Sequence, residues 1–325
     1  MRPIASVCAL LLLMLATLPA QAAGEEEGFP NRTVKIVVPF PPGGTADLLP
    51  RALAEKISAV WKRPVIIENR PGAAGNTGAK AVADAPADGY TLLSSPPGPL
   101  VINASIFRAL PYDPARLVPV SLMATSPIVL TVRTSLGANS VPELLALAKA
   151  SPGKLTYASS GSGSTPHLVG AMLASAGKLQ LLHVPYKGTA PAVNDLIGGQ
   201  VDLYFDNLAN ALPHSKSGRV KVLGLASEKR SALLPSVPTM IEGGLPGFVA
   251  STWYGAALPP GTPAGLVAKW NAALNDALAS PDLQKRMQDW GLEAAGGSSA
   301  DAAAFFRAEA AKWKAVAAEA NVVLD

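Results

Sequence analysis

Two glycine-rich turns, about 120 residues apart, contain the residues best suited to bind a small anion. They span Val37–Asp47 and Tyr157–His167, and each follows a short apolar run and opens a helical pattern. The start of a helix offers unpaired backbone N–H groups and a partial positive charge, so it attracts anions. Two such turns facing each other across a cleft would hold a small carboxylate with little help from charged side chains.

The first turn is stiffened by prolines at positions 39, 41 and 42, which limit backbone freedom before a ligand arrives. Its two glycines allow another group to approach the backbone closely. An ordinary βα loop would also use such glycines, but open α/β sheets bind ligands at the carboxyl ends of their strands, which favours a binding role. The predicted ligand-binding residues of this turn are Phe40, Pro42, Gly43, Gly44 and Asp47.

The second turn is rich in hydroxyl groups, which hydrogen-bond carboxylate oxygens without burying a charge. A solvated serine-rich loop is the alternative, although such loops usually lack a strand before them and a helix after them. Thr165 before a proline is the predicted helix cap, and we interpret His167 as a hydrogen-bonding wall of the pocket and not as a proton shuttle. The predicted ligand-binding residues here are Ser160, Gly161, Ser162, Ser164, Thr165 and His167.

Three further polar residues lie at predicted strand ends. Asp206 could meet an ammonium or hydroxyl group of the ligand, or it could cap the following helix, and the sequence leaves both interpretations open. Lys187 could supply one positive charge near the cleft or could be an ordinary surface lysine. Ser94 completes the predicted binding set.

Catalytic and metal-dependent functions find little support in the motifs. Residues 161–166 begin like a dinucleotide fingerprint but end in proline where the third glycine belongs, and the three histidines are scattered. We therefore expect no catalytic residue, metal or cofactor. A secreted hydrolase or transferase that uses Ser164, His167 and Asp206 is the alternative function.

Composition and the N-terminus predict an exported protein. Met1-Arg2, an apolar run from 7 to 18 and Ala20-Gln21-Ala22 form a secretory signal over residues 1–22, cleaved near Ala22. The one cysteine, Cys8, lies within that signal, so the mature chain has no disulfide. Net charge is +4 without any run of basic residues, which argues against nucleic acid as a partner. We expect a periplasmic monomer.

Strands and helices alternate along the chain, which predicts an α/β fold with a parallel sheet. Strands are predicted over 33–38, 64–68, 90–94, 128–132, 155–158, 179–185, 201–205, 220–226 and 252–258. The last hundred residues are mostly helical, over 263–279, 281–290 and 299–320, and must pack on an existing sheet. We therefore predict two lobes, 24–126 plus 229–325 and 127–228, joined by hinge crossovers.

Two helices have distinctive local patterns. Ser140 followed three residues later by Glu143 predicts a capping box for a helix over 141–150. The alanine-rich terminal helix has its large apolar residues at helical spacing, which predicts a buried stripe made of Phe305, Phe306, Trp313 and Val316.

The sequence resembles the extracytoplasmic solute receptors of the Bug, or tripartite tricarboxylate transporter, family. The two turns carry the resemblance, together with segments in family order over nearly the whole mature chain, among them 68–75, 88–93, 184–188, 198–202 and 234–239 with Trp253. One departure is Ala87, where the family more often has proline directly before the aspartate.

The resemblance implies a periplasmic-binding-protein fold that closes on its ligand like a venus flytrap, with one turn on each lobe. It also implies small carboxylate ligands, bound largely through backbone groups and bridging waters, and transient contact with membrane transporter subunits. A sensory receptor for the same ligand is equally compatible with the sequence. A free Asp206 would suit an amino acid, whereas a capped Asp206 would suit a di- or aromatic acid.

Overall fold

The structure is a computed structural model that describes residues 28–324, so the predicted signal segment lies outside the described residues. Ten strands and ten α-helices cover most of this part of the chain. In order they are β1 Val34–Val38, α1 Thr45–Trp61, β2 Val65–Asn69, α2 Asn76–Ala83, β3 Thr91–Ser95, α3 Asn103–Ile106, β4 Val118–Arg133, α4 Val141–Ala150, β5 Thr156–Ser159, α5 Thr165–Gly177, β6 Leu182–Pro185, α6 Thr189–Ile197, β7 Leu203–Asn207, α7 Leu208–Lys216, β8 Val220–Leu225, β9 Ser251–Leu258, α8 Ala264–Leu278, α9 Pro281–Asp289, β10 Glu293–Gly296 and α10 Ser299–Glu319.

The strands form two sheets that share one long strand, β4. In the first sheet β1 pairs in parallel with β2 and β3, while β9 runs antiparallel between β3 and β4. In the second sheet β5 pairs in parallel with β6 and β7, and the far end of β4 pairs antiparallel with β7 and β8. The sheets are therefore mixed, and the prediction of a parallel sheet is wrong at β4, β8, β9 and β10, which pair antiparallel with their neighbours. Of these strands, β4 runs through both sheets.

Each sheet is covered by helices, which gives the two-lobed α/β architecture that the sequence predicts. The chain enters the second sheet within β4, where Pro127 still pairs with Ser251 of the first sheet and Ile128 already pairs with Asn207. It returns beside the same point at Ala250, whose N–H donates to the Ala226 carbonyl at 2.9 Å, while the Ala226 N–H donates to the Ile128 carbonyl at 2.8 Å. Two adjacent backbone segments thus connect the halves.

The segment that follows β8 stays on the second half before the chain crosses back. Met240 is fully buried beside Gly224, and Phe248 stacks on Phe205 of β7 with ring centroids 5.9 Å apart. Residues 240–248 therefore pack against the second sheet. The division at residues 126 and 228 stays a prediction.

The helical tail packs on the first sheet, as expected from its lack of an extended sheet of its own. Phe306 stacks on Trp253 of β9, and the buried Glu309 carboxylate accepts hydrogen bonds from the indole N–H groups of Trp253 and Trp313 at 2.7 and 2.8 Å. Of the predicted buried stripe, Phe306 and Trp313 are buried, whereas Phe305 and Val316 are partly exposed against the same core.

Within residues 28–324, no helix combines the length and the hydropathy that crossing a bilayer requires. The same residues contain no group of three or more histidine, cysteine, aspartate or glutamate side chains that could hold a metal ion.

Candidate ligand-binding site

A carboxylate anchors the first turn at the start of α1. The Gly43 N–H donates to Asp47 Oδ2 at 3.0 Å, Arg51 Nε donates to the same oxygen at 2.9 Å, and Asn69 Nδ2 donates to Oδ1 at 2.8 Å. Burial opposes ionisation of Asp47, but the hydrogen bonds from Arg51, Asn69 and Gly43 outweigh it and hold its pKa below the usual value. Both carboxylate oxygens are therefore used inside the turn.

The exposed rim of this turn is formed by backbone. Residues 41–44 are exposed, and among the described residues the N–H groups of Gly44, Thr45 and Ala46 have no hydrogen-bond partner. Gly44 is the N-cap of α1, and no side chain satisfies these donors. The first turn thus presents the anion-attracting helix start that its sequence predicts.

The second turn has the same relation between a glycine and the side chain four residues later. The Gly163 N–H donates to His167 Nδ1 at 3.0 Å, and Ser164 donates to the Gly161 carbonyl through both its backbone N–H, at 3.1 Å, and its hydroxyl, at 2.6 Å. Ser164 is the N-cap of α5, without a side-chain capping bond. The predicted cap at Thr165 is therefore one residue too late.

Two histidines lie behind the second turn. The rings of His167 and His183 stack with centroids 3.9 Å apart, and His183 Nε2 lies 2.7 Å from the Ser159 hydroxyl. Burial lowers the pKa of His167 to about 3 and that of His183 to about 4, so both are neutral near pH 7. With Ser162 they line a cavity of about 490 Å³ whose other wall is the chain end, residues 319–324.

Two buried tyrosines link the turns across the molecule. The Tyr254 hydroxyl of β9 accepts from Asn207 Nδ2 at 3.3 Å, and the Thr45 hydroxyl of the first turn lies near enough to act on its pKa, in the lowering direction. The Tyr204 hydroxyl of β7 donates to Thr189 Oγ1 at 3.4 Å, and the Ser160 hydroxyl of the second turn lies near enough to act on its pKa, in the lowering direction. The Asn207–Tyr254 hydrogen bond joins β7 to β9, so the two tyrosines belong to one polar cluster near both turns.

Asp206 lies inside this cluster and is 2% exposed. Its Oδ1 accepts from the Asn207 N–H at 2.8 Å, and its Oδ2 accepts from Asn210 Nδ2 at 3.1 Å. Burial raises its pKa to about 7, against the lowering effect of those bonds, so the carboxyl is partly protonated at neutral pH. The same burial, with the nearby Asp206 charge, raises the pKa of Tyr204 and Tyr254.

Ser94 lies on the same sheet face as Tyr254. It pairs with Ala256 of β9, two residues from Tyr254, and side chains two apart on a strand share a face. Its hydroxyl is buried and lacks a partner within residues 28–324. A buried hydroxyl without a partner is costly, so a ligand or water atom is its natural partner.

The structure does not assemble the alternative catalytic group. Ser164 donates to Gly161, His167 accepts from Gly163, and Asp206 bonds to Asn207 and Asn210, so among the described contacts none of the three bonds to another. Lys187 is exposed.

Sequence reasoning missed four residues of the polar cluster: Thr189, Tyr204, Asn207 and Tyr254. One signal was present, since Tyr204 and Asp206 are two residues apart on a strand and therefore share a face. Tyr254 has no such signal, because it stands in an apolar strand.

Comparison with known proteins gives a consistent result. Residues 49–322 match the family described as "Tripartite tricarboxylate transporter family receptor". The chain is 35% identical to Protein BugT of Bordetella pertussis over 318 residues, which covers 97% of this chain and 98% of BugT.

Solved structures of similar proteins share the fold. "R. palustris Rpa4515 with adipate" superposes with a TM-score of 0.86 at 36% identity, covering 91% of this chain and 99% of that one. "MatC (Rpa3494) from Rhodopseudomonas palustris with bound malate" gives 0.83 at 34% identity, covering 89% and 99%. These neighbours are two-lobed solute-binding proteins.

Proposed function

The chain belongs to the tripartite tricarboxylate transporter receptor family, and from this premise we propose that it captures a small dicarboxylate between its two lobes. The family consists of binding receptors and not of enzymes. The protein therefore acts by holding its ligand and changing shape, without altering it chemically.

One observation carries the proposal: the starts of α1 and α5 both lie near one buried cluster of hydroxyl groups. The Thr45 hydroxyl of the first turn lies near Tyr254, and the Ser160 hydroxyl of the second turn lies near Tyr204. A carboxylate at each helix start would receive backbone N–H groups and hydroxyl donors without any lysine or arginine. A ligand with two carboxylates can bridge both turns.

The state of Asp206 favours a diacid over an amino acid. Its oxygens already accept hydrogen bonds from Asn207 and Asn210, and its raised pKa indicates that the site does not stabilise a negative charge there. An ammonium group would require an ionised carboxylate partner. Adipate and malate, the ligands named for the two structural neighbours, are also diacids.

Bridging explains how binding would drive closure. A ligand that contacts both turns has its full affinity only when the lobes are together, so it shifts the population toward the closed form. In this proposal the signal segment directs the receptor to the periplasm, where the closed form delivers its ligand to membrane subunits of a tripartite tricarboxylate-type transporter.

Calorimetry and thermal unfolding with adipate, malate and aspartate test the ligand class. We expect both diacids to raise the melting temperature of the wild-type protein more than aspartate does. Gly44→Leu should abolish that increase, because a side chain at this exposed position meets no protein atom within 4 Å, requires no unusual φ, and projects from the turn.

Gly137→Leu is the matched control. Gly137 is also exposed, and a Cβ at this position would also meet no atom within 4 Å, but the residue lies in the loop before α4. Normal diacid binding by the Gly44→Leu protein would contradict the site. Aspartate is a dicarboxylate that also has an ammonium group, so tighter binding of aspartate than of malate would contradict the preference for a ligand without a cation.

Transport is tested separately in cells. Deleting the gene should abolish uptake of a radiolabelled diacid that the purified protein binds, and restoring the wild-type gene should recover it. Unchanged uptake, together with loss of a transcriptional response to the same diacid, would assign the receptor to sensing.

A further inference from the structure

Both turns use the same internal hydrogen bond with different acceptors. The N–H of Gly43 donates to the side chain of Asp47, and the N–H of Gly163 donates to the side chain of His167, in each case at 3.0 Å and four residues ahead. The first acceptor is an ionised carboxylate whose charge is balanced by Arg51. The second acceptor is an imidazole, and no cation contacts it among the described residues.

We propose that neutral His167, held by its stack on His183, is the positioning residue of the second turn. It keeps the turn in its anion-binding shape without placing a negative charge beside the bound carboxylate. This inference rests on the proposed function, because it assigns a task to the turn that receives one ligand carboxylate. In this role His167 does not itself contact the ligand.

The hydrogen bond defines which form of His167 can act. Nδ1 accepts the Gly163 N–H, so the ring proton of the neutral form is on Nε2, and protonation of Nδ1 would remove the acceptor. Burial and the neighbouring His183 ring both disfavour the charged form. The titratable groups that line the same space are Tyr157 of β5, His183 of β6 and Glu319 of α10.

His183 holds the opposite end of the same turn. Its Nε2 lies 2.7 Å from the Ser159 hydroxyl, which in turn contacts the Gly161 N–H at 3.2 Å and the Gly161 carbonyl at 3.1 Å. The stacked pair therefore contacts both glycines of the turn, Gly163 directly and Gly161 through Ser159. His183 comes from a different strand, so the turn depends on packing between β5 and β6.

Three substitutions at His167 separate hydrogen bonding from charge. Asparagine keeps a neutral acceptor at about the position of Nδ1, aspartate keeps the acceptor but adds a charge without a partner, and leucine removes the acceptor. Hydrogen exchange at the Gly163 amide reports the bond, and calorimetry with adipate and malate at pH 7 reports the binding. His214→Asn, at the third histidine on α7, is the control.

We expect His167→Asn to keep Gly163 protected and diacid affinity within about twofold of wild type. His167→Leu should lose the protection and bind roughly fivefold to tenfold more weakly, as for one lost hydrogen bond. His167→Asp should keep the protection yet bind about tenfold more weakly, because of the added charge. If His167 were merely structural, the affinity for the diacids would fall in step with the melting temperature in all three variants.

Two results would overturn the inference: wild-type affinity in His167→Leu, or unchanged affinity in His167→Asp with Gly163 still protected. If His167→Asp does not fold, the comparison of leucine with asparagine still decides. If the wild-type protein binds neither adipate nor malate, the proposed ligand class fails instead. In that case the exchange of Gly163 in the leucine and asparagine variants still tests whether His167 holds the turn.

Discussion

The two anion-attracting turns reach similar shapes by different means. The first is held mainly by its own residues: three prolines, and the Asp47–Arg51 pair one helical turn apart, with help from Asn69. The second has local hydrogen bonds as well, from Ser164 to the Gly161 carbonyl and between Ser159 and Gly161, but no ion pair anchors it among the described residues. Its glycines depend on His167 and on β6, whose continuation donates from Tyr186 and Gly188 to the carbonyls of Ser159 and Ser160.

This difference shows how charge and stiffness are distributed between the two turns. An ionised anchor is tolerated in the first turn because Arg51 balances it. In the second turn neutral imidazoles supply the same acceptor without a counter-charge. We therefore expect the first turn to be sensitive to loss of charge and the second to be sensitive to loss of packing.

Alanine at the paired glycines should produce the largest difference. Gly163 has φ +80°, and its Cβ would lie 2.7 Å from Ile106 Cδ1, whereas Gly43 has φ +97° and open space. We expect Gly163→Ala to lower the free energy of unfolding by about 2–3 kcal/mol through strain and a clash, and Gly43→Ala by about 1 kcal/mol through strain alone. Urea unfolding measures both, and equal losses would contradict the packing argument.

Removing the charged anchor should have the next largest effect. Asp47→Asn should cost about 1–2 kcal/mol at pH 7, since it weakens charge-assisted bonds from Arg51 and Gly43. The native pKa of Asp47 lies below its unfolded value, so this stability is present above about pH 4 and is lost as pH falls through the native pKa. The free energy of unfolding of the variant should therefore differ less from that of wild type at low pH. His167→Asn, which replaces the neutral acceptor of the second turn, is the comparison without a change of charge.

Between the turns, Asp206 should give diacid binding a pH dependence. The pKa of Asp206 is about 7, and a bound carboxylate nearby would favour its protonated form further. Wild-type affinity for adipate should therefore be about fivefold higher at pH 6 than at pH 8. Asp206→Asn should remove most of that dependence in calorimetry. An affinity that rises with pH would instead indicate an ionised Asp206 paired with a ligand cation.

Asp206 should also affect the stability of the free protein. Because its native pKa is raised above its unfolded value, the folded state holds more protons between about pH 4 and pH 7. Its contribution to the free energy of unfolding therefore decreases as pH rises through that window. Comparing unfolding of wild type and Asp206→Asn at pH 5 and pH 8 isolates this contribution.

The smallest expected effects belong to the hydroxyls that join the turns to the tyrosines. Thr45→Val and Ser160→Ala each remove a hydroxyl near a buried tyrosine, Tyr254 and Tyr204 respectively. We expect each to weaken adipate binding by about threefold, with little change in melting temperature. If only one has an effect, the ligand contacts the two turns unequally.

Local sequence patterns predicted the helices closely. The helix predicted over 141–150 is α4 itself, with Ser140 accepting from the Glu143 N–H. The second bond of the predicted capping box differs, because the Glu143 carboxylate accepts from the Asn139 N–H and not from that of Ser140. The tail helices end within one residue of their predicted limits. Helix starts depend on residues within a few positions of each other, so a single sequence contains the information.

Strands that pair across the chain were predicted less well. The strand predicted over 128–132 is the far end of β4, which begins at Val118, and β10 was missed. The first part of β4 contains Pro119 and Ser121, which weaken its strand pattern, and it is stabilised by β9, more than a hundred residues away. Strand formation there depends on a partner that local pattern does not reveal.

The sequence alone determined the family and the two-lobed α/β fold, because the glycine-rich helix starts and the family motifs depend on residue type and short spacing. Only the tertiary structure decided which side chains meet between the turns. Tyr204, Asp206 and Tyr254 come from two strands of different sheets, and burial among them sets the protonation of Asp206. Burial and contact between distant strands are properties of packing. The sequence therefore could not show that His167 accepts from Gly163 or that Tyr254 contacts Asn207.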